Sequence, residues 1–262
     1  MTTPGDRPAA EPIPPSRRIA ALLREKIISG GYAPGDKLPT ERALAQQHGV
    51  ARNTAAAAIR ILAGEGLVDT HQGSGAYVRA TPRLIRLGAG RYARNLRASG
   101  LSPFGAEVTR QGRTPRVVCT SITRIEPPAE VAERLEISSR DETVVRRENH
   151  YFADESPMQI GITYAPWSIV EHSVISHSTT LGPGGIYARF DDLGHSVTRA
   201  RDELSARMPI PEELAILAIP PGVPVLDLRH VSIDQNGRPF EVSHFAMRAD
   251  HMAVDYDVPV ED

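Results

Sequence analysis

A single cysteine, Cys119, in 262 residues leaves no partner for an intrachain disulfide and fits a reducing compartment. No apolar run reaches membrane length, and no basic-then-apolar leader opens the chain. The expectation is a cytoplasmic protein, neither secreted nor membrane-spanning. Lysine is nearly absent: of 30 basic residues only Lys26 and Lys37 are lysines, an arginine excess that marks a GC-rich genome and says nothing of function. The nine histidines show no metal-ligand spacing. His172 and His177 miss the i, i+4 interval, and His48, His71 and His230 lie far apart. Nucleophile elbow, Walker loop and dinucleotide fingerprint are all missing, so no cofactor and no metal are expected. What is there is an ordinary globular composition, 40% hydrophobic and 24% charged, on a chain long enough for two domains.

The formal net charge of −2 hides an asymmetry. Residues 16–116 carry 17 basic against 6 acidic side chains, and residues 117–262 carry 12 against 24. A basic segment joined to an acidic one points the basic part at a polyanion.

Punctuation divides the chain further. Residues 1–15 are Pro-rich without periodicity and read as a disordered arm. From Ser16 to Ser29, Ile19, Leu22, Leu23, Lys26 and Ile27 fall at helical spacing. A second helix follows Thr40, a good N-cap, and stops at Gly49. A third, from Arg52 to Glu65, holds four consecutive alanines, Ala55 to Ala58. Two β-prone pieces, Leu67–Thr70 and Ala76–Val78, flank a Gly-rich tip. Residues 81–103 read as a linker. Beyond Phe104, alternating runs at Arg116–Ile125, Thr143–Phe152, Met158–Tyr164, Val225–Gln235 and Phe240–Arg248, with an Asn-Gly turn at 236–237, predict hairpins. Helical stretches at Pro128–Leu135, Ile186–Leu193 and Glu212–Leu217 make the class α+β.

Helix, turn, helix and β-wing is the winged helix-turn-helix order, in which the second helix of the pair enters the DNA major groove. On this reading Ile59 and Leu62 pack on the first two helices, while the small alanines on the opposite face permit close approach to base pairs. Arg52, Asn53 and Thr54 at the helix start can reach base edges and phosphates, aided by free backbone N–H groups.

The stretch "YAPGDKLPTERALAQQHGVARNTAAAAIRILAGEGLVDTHQGSGAYV" resembles the DNA-binding domain of GntR-family bacterial transcription regulators, over Ile19 to Val78. The resemblance implies DNA contacts from Arg42, Arg52 and Thr54, and a wing tip, Gln72 and Gly73, near the minor groove. Thr40 and Lys37 join this set; for Lys37 the alternatives are phosphate contact and turn solvation. Ala56 stands where many members carry a base-reading arginine.

Residues 116–256, with "VVRRENHYFADESPMQIGITYAP" and "PPGVPVLDLRHVSIDQNGRPFEVSHF", resemble the UTRA ligand-sensing domain of the HutC subfamily, whose fold is chorismate-lyase-like. That implies a six-stranded antiparallel sheet, an effector cleft and a homodimer. The domains expected are the winged helix at 16–80 and the effector domain at 104–262. A period of two puts Arg147, Asn149 and Tyr151 on one strand face, and Gln159, Gly161 and Thr163 together on the next. Phosphosugar-binding relatives have arginines at 149 and 151, a glutamate at 161 and a tyrosine at 247; here stand Asn149, Tyr151, Gly161 and Met247. Glu241 is retained. A phosphosugar effector is therefore not expected. If residues 197–208 form a strand, Asp202 shares a face with Ala200, Leu204, Ala206 and Met208, and could join Glu241 around a cationic or hydroxyl-rich ligand; the alternatives are a pairing with an internal arginine, or a helix.

The leading expectation is a dimeric, effector-released repressor of a DNA operator, with no membrane partner. A chorismate-lyase-like enzyme fused to a DNA-binding head, and a constitutive DNA-binding protein with a purely dimerising second domain, are the alternatives.

Overall fold

The computed structural model describes residues 13–71, 73–80, 83–88, 90–93, 99–138, 142–220 and 222–257. Most of the expected arm, and the expected wing contact Gln72, lie outside the described residues. The chain divides into two compact units between Thr81 and Pro82, with Pro220–Gly222 grouped with the first.

In the first unit α1 spans Pro15–Ile28, α2 Glu41–His48 and α3 Arg52–Gly64, followed by the hairpin β1 (Val68–His71) and β2 (Gly75–Val78). Pro15 opens α1 at its first turn, where a missing N–H costs nothing. Thr40 caps α2, its hydroxyl accepting from Ala43 N at 3.2 Å, and Gly49 ends it at φ 62°, a left-handed conformation that suits glycine. Ile19, Leu23, Leu38, Leu44, Ile59, Leu62, Val68 and Val78 form the core. Leu22, expected in the buried stripe of α1, is instead exposed. The alanine run splits. Ala55 and Ala58 are fully buried and let α1 and α2 approach α3 closely, while Ala56 and Ala57 are half-buried. Half of the run expected to lie against DNA is thus core, because positions three apart share a helix face.

The second unit is built on one six-stranded antiparallel sheet. Its strands are β4 (Pro115–Ile125), β5 (Val144–Ala153), β6 (Ser156–Pro166), β7 (Arg199–Arg207), β8 (Val225–Ile233) and β9 (Pro239–Arg248), in the spatial order β4-β5-β6-β9-β8-β7. The β8–β9 turn is pinned by Asp234, which accepts from Asn236 N and Arg238 N at 2.8 and 3.0 Å. Part of the expected linker is not free chain. Leu84–Leu87 form a strand, β3, that pairs in parallel with β10 (Met252–Asp255), and Leu84 is buried. Two short strands far apart in sequence find each other there, a pairing that local pattern does not reveal. Helix α4 (Pro103–Arg110) lays Phe104 and Val108 on the sheet, with Met158, Leu228, Phe245 and Met247 beneath. Helix α5 (Ala129–Arg134) covers the opposite face through Val131, against Val144, Tyr164, Val231 and Val242. Short helices α6 (Trp167–Val170) and α7 (Gly185–Asp192) cap one end, and α8 (Pro211–Leu217) follows β7. Residues 199–207 are a strand, but at the sheet edge its expected apolar face stays open: Leu204 and Met208 are exposed.

Candidate nucleic-acid interface and ligand cavity

On the first unit Lys37, Thr40, Arg42, Arg52, Asn53 and Gly73 are exposed, and Thr54 is half-buried. Helix α3 begins at Arg52 without a side-chain cap, so its first N–H groups stay open to an anion. Arg52 Nε donates to Glu41 Oε2 at 3.0 Å, tying the starts of α2 and α3 together. Both groups are well exposed, so the pair is weak and readily exchanged for another partner. Thr40 has its hydroxyl engaged in the cap. Lys37 bridges to Tyr77 of β2, its ammonium 5.4 Å from the ring centroid. The Ser74 hydrogen bond, and then Lys37, hold the Tyr77 phenol below its ordinary range. Lys37 thus lies beside the wing hairpin, with its side chain exposed.

In the second unit the register sets Asn149 opposite Gly161 and Tyr151 opposite Gln159, and Gly161 in turn opposite Phe245. One sheet face therefore carries Arg147, Asn149, Tyr151, Gln159, Thr163, Glu241, Ser243 and Phe245, and above it lies a cavity of about 460 Å³ lined by all of these. Gly161 sits under two rings. A Cβ there would lie 2.7 Å from Phe245 Cε1 and 2.9 Å from Tyr151 Cε2, so the rings occupy the space a glutamate would need. Burial pushes the Tyr151 hydroxyl up to about 12, keeping it a donor at neutral pH.

Glu241 lies at the cavity floor with 1% of its surface exposed. Ser232 Oγ donates to its Oε2 at 2.6 Å, Tyr187 Oη does so at 3.3 Å, and Ser243 Oγ donates to Oε1. Three hydroxyls hold the carboxylate in one orientation, as charge-assisted bonds do. Behind it His230 Nδ1 donates to Asp202 Oδ1 at 2.5 Å, and Tyr256 Oη donates to the other oxygen at 3.0 Å. Burial raises the Asp202 pKa, but the His230 bond, His230 and Arg86 outweigh it and hold the carboxyl below its ordinary value. Asp202 thus meets a histidine, not the internal arginine of one alternative, and it does not line the cavity. Met247 also stays away from it, fully buried in the core under α4.

Asp202, His230 and Ser232 stand in the order of orienting acid, base and nucleophile, with His230 Nε2 3.0 Å from Ser232 Oγ. Both His230 and Ser232 are wholly buried, and the serine hydroxyl is spent on Glu241. The chain of bonds positions Glu241 rather than presenting a nucleophile.

Three arginines at the cavity fall outside the sequence expectation. Arg147 is wholly buried, its Nη1 and Nη2 donating to the carbonyls of Ile175 and Ser178 at 2.5 and 2.9 Å. Arg86 of β3 and Arg91 reach the same cavity. Arg147 was legible only as a face-sharing residue; Arg86 and Arg91 lay in a stretch read as linker, and no local signal placed them.

A three-helix head with a β-wing, joined to an antiparallel sheet with a cavity over one face, defines a winged-helix DNA-binding protein with a ligand-binding type of second domain. The gntR family of bacterial regulatory proteins matches residues 15–78, and the UTRA domain family matches residues 110–253. The chain belongs to the GntR-family regulators that carry a UTRA domain, and is a DNA-binding transcription regulator. It is 27% identical to the HTH-type transcriptional repressor NagR of Bacillus subtilis, over 91% of this chain and 92% of that protein. It is 26% identical to the HTH-type transcriptional regulator GgaR of Escherichia coli K12, over 92% and 90%. The solved structure of PhnF from Mycobacterium smegmatis shares the fold, with a TM-score of 0.61 at 21% identity over 93% of this chain and all of that one. No helix of the described residues is long and apolar enough to cross a membrane.

Proposed function

We propose that this regulator is a dimeric repressor, released from its operator when a small molecule fills the second unit's cavity. The carrying observation is Glu241, a carboxylate held by three hydroxyls at the floor of a cavity of small-molecule size. A group so placed suits a ligand hydroxyl or ammonium. On the head, Arg42, Arg52, Asn53, Thr54 and the wing residues Lys37 and Gly73 face the operator, Arg52 leaving Glu41 for DNA. Thr40 serves this surface by capping α2. The ligand shifts operator affinity by its differential affinity for the two states, of the order of 1–3 kcal/mol.

The test uses an operator obtained by in vitro selection and the effector that dissociates it. Arg52→Ala weakens specific binding by about 1–3 kcal/mol if the guanidinium reads a base. Glu241→Gln keeps the shape and removes the charge, and shrinks the ratio of operator affinities without and with effector toward one. An unchanged ratio in Glu241→Gln places the ligand elsewhere.

A further inference from the structure

Arg86 is 2% exposed, and its Nε and Nη2 have no hydrogen-bond partner among the described residues. Its guanidinium lies 4.9 Å from the Phe245 ring centroid, a face that offers electron density but no acceptor atom. Burial, and then the charge of Arg91, depress its pKa. Arg91, 5% exposed, approaches Glu107 at 3.3 Å yet leaves its own Nε unpartnered. Glu107 also accepts from Leu87 N at 3.0 Å, so it is shared. Arg147 is held by carbonyl oxygens, and its Nε is likewise unpartnered. Among the described residues the cavity lining presents one carboxylate, Glu241, which accepts from hydroxyls; Glu107 and Asp202 stand behind the lining and balance Arg91 and Arg86 from that side only.

Buried guanidinium N–H groups without acceptors are costly, and such groups at the edge of a cavity persist where a bound molecule supplies the acceptors. Resting on the proposed effector cavity, we infer that the effector carries an anionic group, a carboxylate or a phosphate ester, and that Arg86 and Arg91 hold it. The planar fork of arginine matches the paired oxygens of either group. The replacements at 149 and 151 therefore leave the cavity with cations, supplied from a different part of the chain. Both arginines, Arg86 and Arg91, belong to the start of the second unit, five and ten residues after Thr81. Glu241 then takes a hydroxyl or ammonium of the same molecule.

The experiment measures thermal melting of the full chain at matched ionic strength, in chloride, in inorganic phosphate and in acetate, for wild type, Arg86→Gln, Arg86→Lys and Arg91→Gln. The basic head and bulk salt effects respond alike in all four proteins, so the readout is the increment over chloride, compared between variants. At millimolar anion, wild type gains about 2–4 °C more than Arg86→Gln with one or both anions, Arg91→Gln loses part of the gain and Arg86→Lys keeps part. The anion with the larger Arg86-dependent increment identifies the phosphate or the carboxylate source. In chloride Arg86→Gln melts no lower than wild type, since it removes an orphaned charge; a purely structural arginine gives the opposite result. Equal increments in wild type, Arg86→Gln and Arg91→Gln overturn the inference. An Arg86-dependent increment with a failed Glu241 release test keeps the anion site and discards the switch. A positive release test with equal increments keeps the switch and discards the anion.

Discussion

Replacing Gly161 with alanine tests whether the cavity wall is as closely packed as its geometry requires. Carbon atoms sit best about 3.5–4.0 Å apart, and the new Cβ would meet ring carbons of Phe245 at 2.7 and 2.9 Å and of Tyr151 at 2.9 Å. Both rings border the cavity, yet a shift of either one breaks its packing against its neighbours. Tyr151 packs edge-on against Phe104 at 5.1 Å between centroids and against Phe245 at 6.2 Å, and Arg86 covers Phe245. Overpacking of this kind costs about 1–3 kcal/mol, and the lost chain entropy of glycine returns roughly 0.4–1. The expected net loss is about 1–2 kcal/mol, or roughly 3–6 °C in the melting of a unit of this size. The chain's one tryptophan, Trp167, lies in the second unit, so its fluorescence in a urea titration follows that unit alone. Adding Phe245→Leu to Gly161→Ala recovers part of the loss, with a coupling of about 0.5–2 kcal/mol across the double-mutant cycle. A Gly161→Ala protein as stable as wild type, or additive behaviour with Phe245→Leu, refutes the packing argument.

Two further outcomes are expected. Thr40→Ala lowers the stability of the head by about 1 kcal/mol while Thr40→Ser does not, because the hydroxyl caps α2; equal denaturant midpoints for Thr40→Ala and wild type contradict this. His244 is pushed down to about 4, first by burial and then by Arg229, whose Nη1 donates to its Nδ1, so neutral His244 contributes stability at pH above 6.5 that is lost as pH falls toward 4. With solvent screening at this half-buried site the loss is about 1–2 kcal/mol, and His244→Gln flattens the stability profile between pH 6.5 and 4.

The sequence by itself determined what rests on local period and punctuation. Thr40 and Gly49 bracket α2, the hairpins of the second unit fall where alternation predicts them, and strand parity alone put Arg147, Asn149 and Tyr151 on one face. Together with the GDKLPTER and QGSGAYV stretches, that was enough for the family. The tertiary structure decided which face meets what. Ala55 and Ala58 became core because three helices converge on that side of α3, a fact no propensity scale contains. Asp202 found His230 only through the β7–β8 register, and Met247 turned into the core because α4 covers it. The largest change concerns the cavity's charge. Arg86 and Arg91 reach it because β3 pairs with β10, 168 residues further along from Leu84 to Met252, and long-range pairing leaves no trace in a local window.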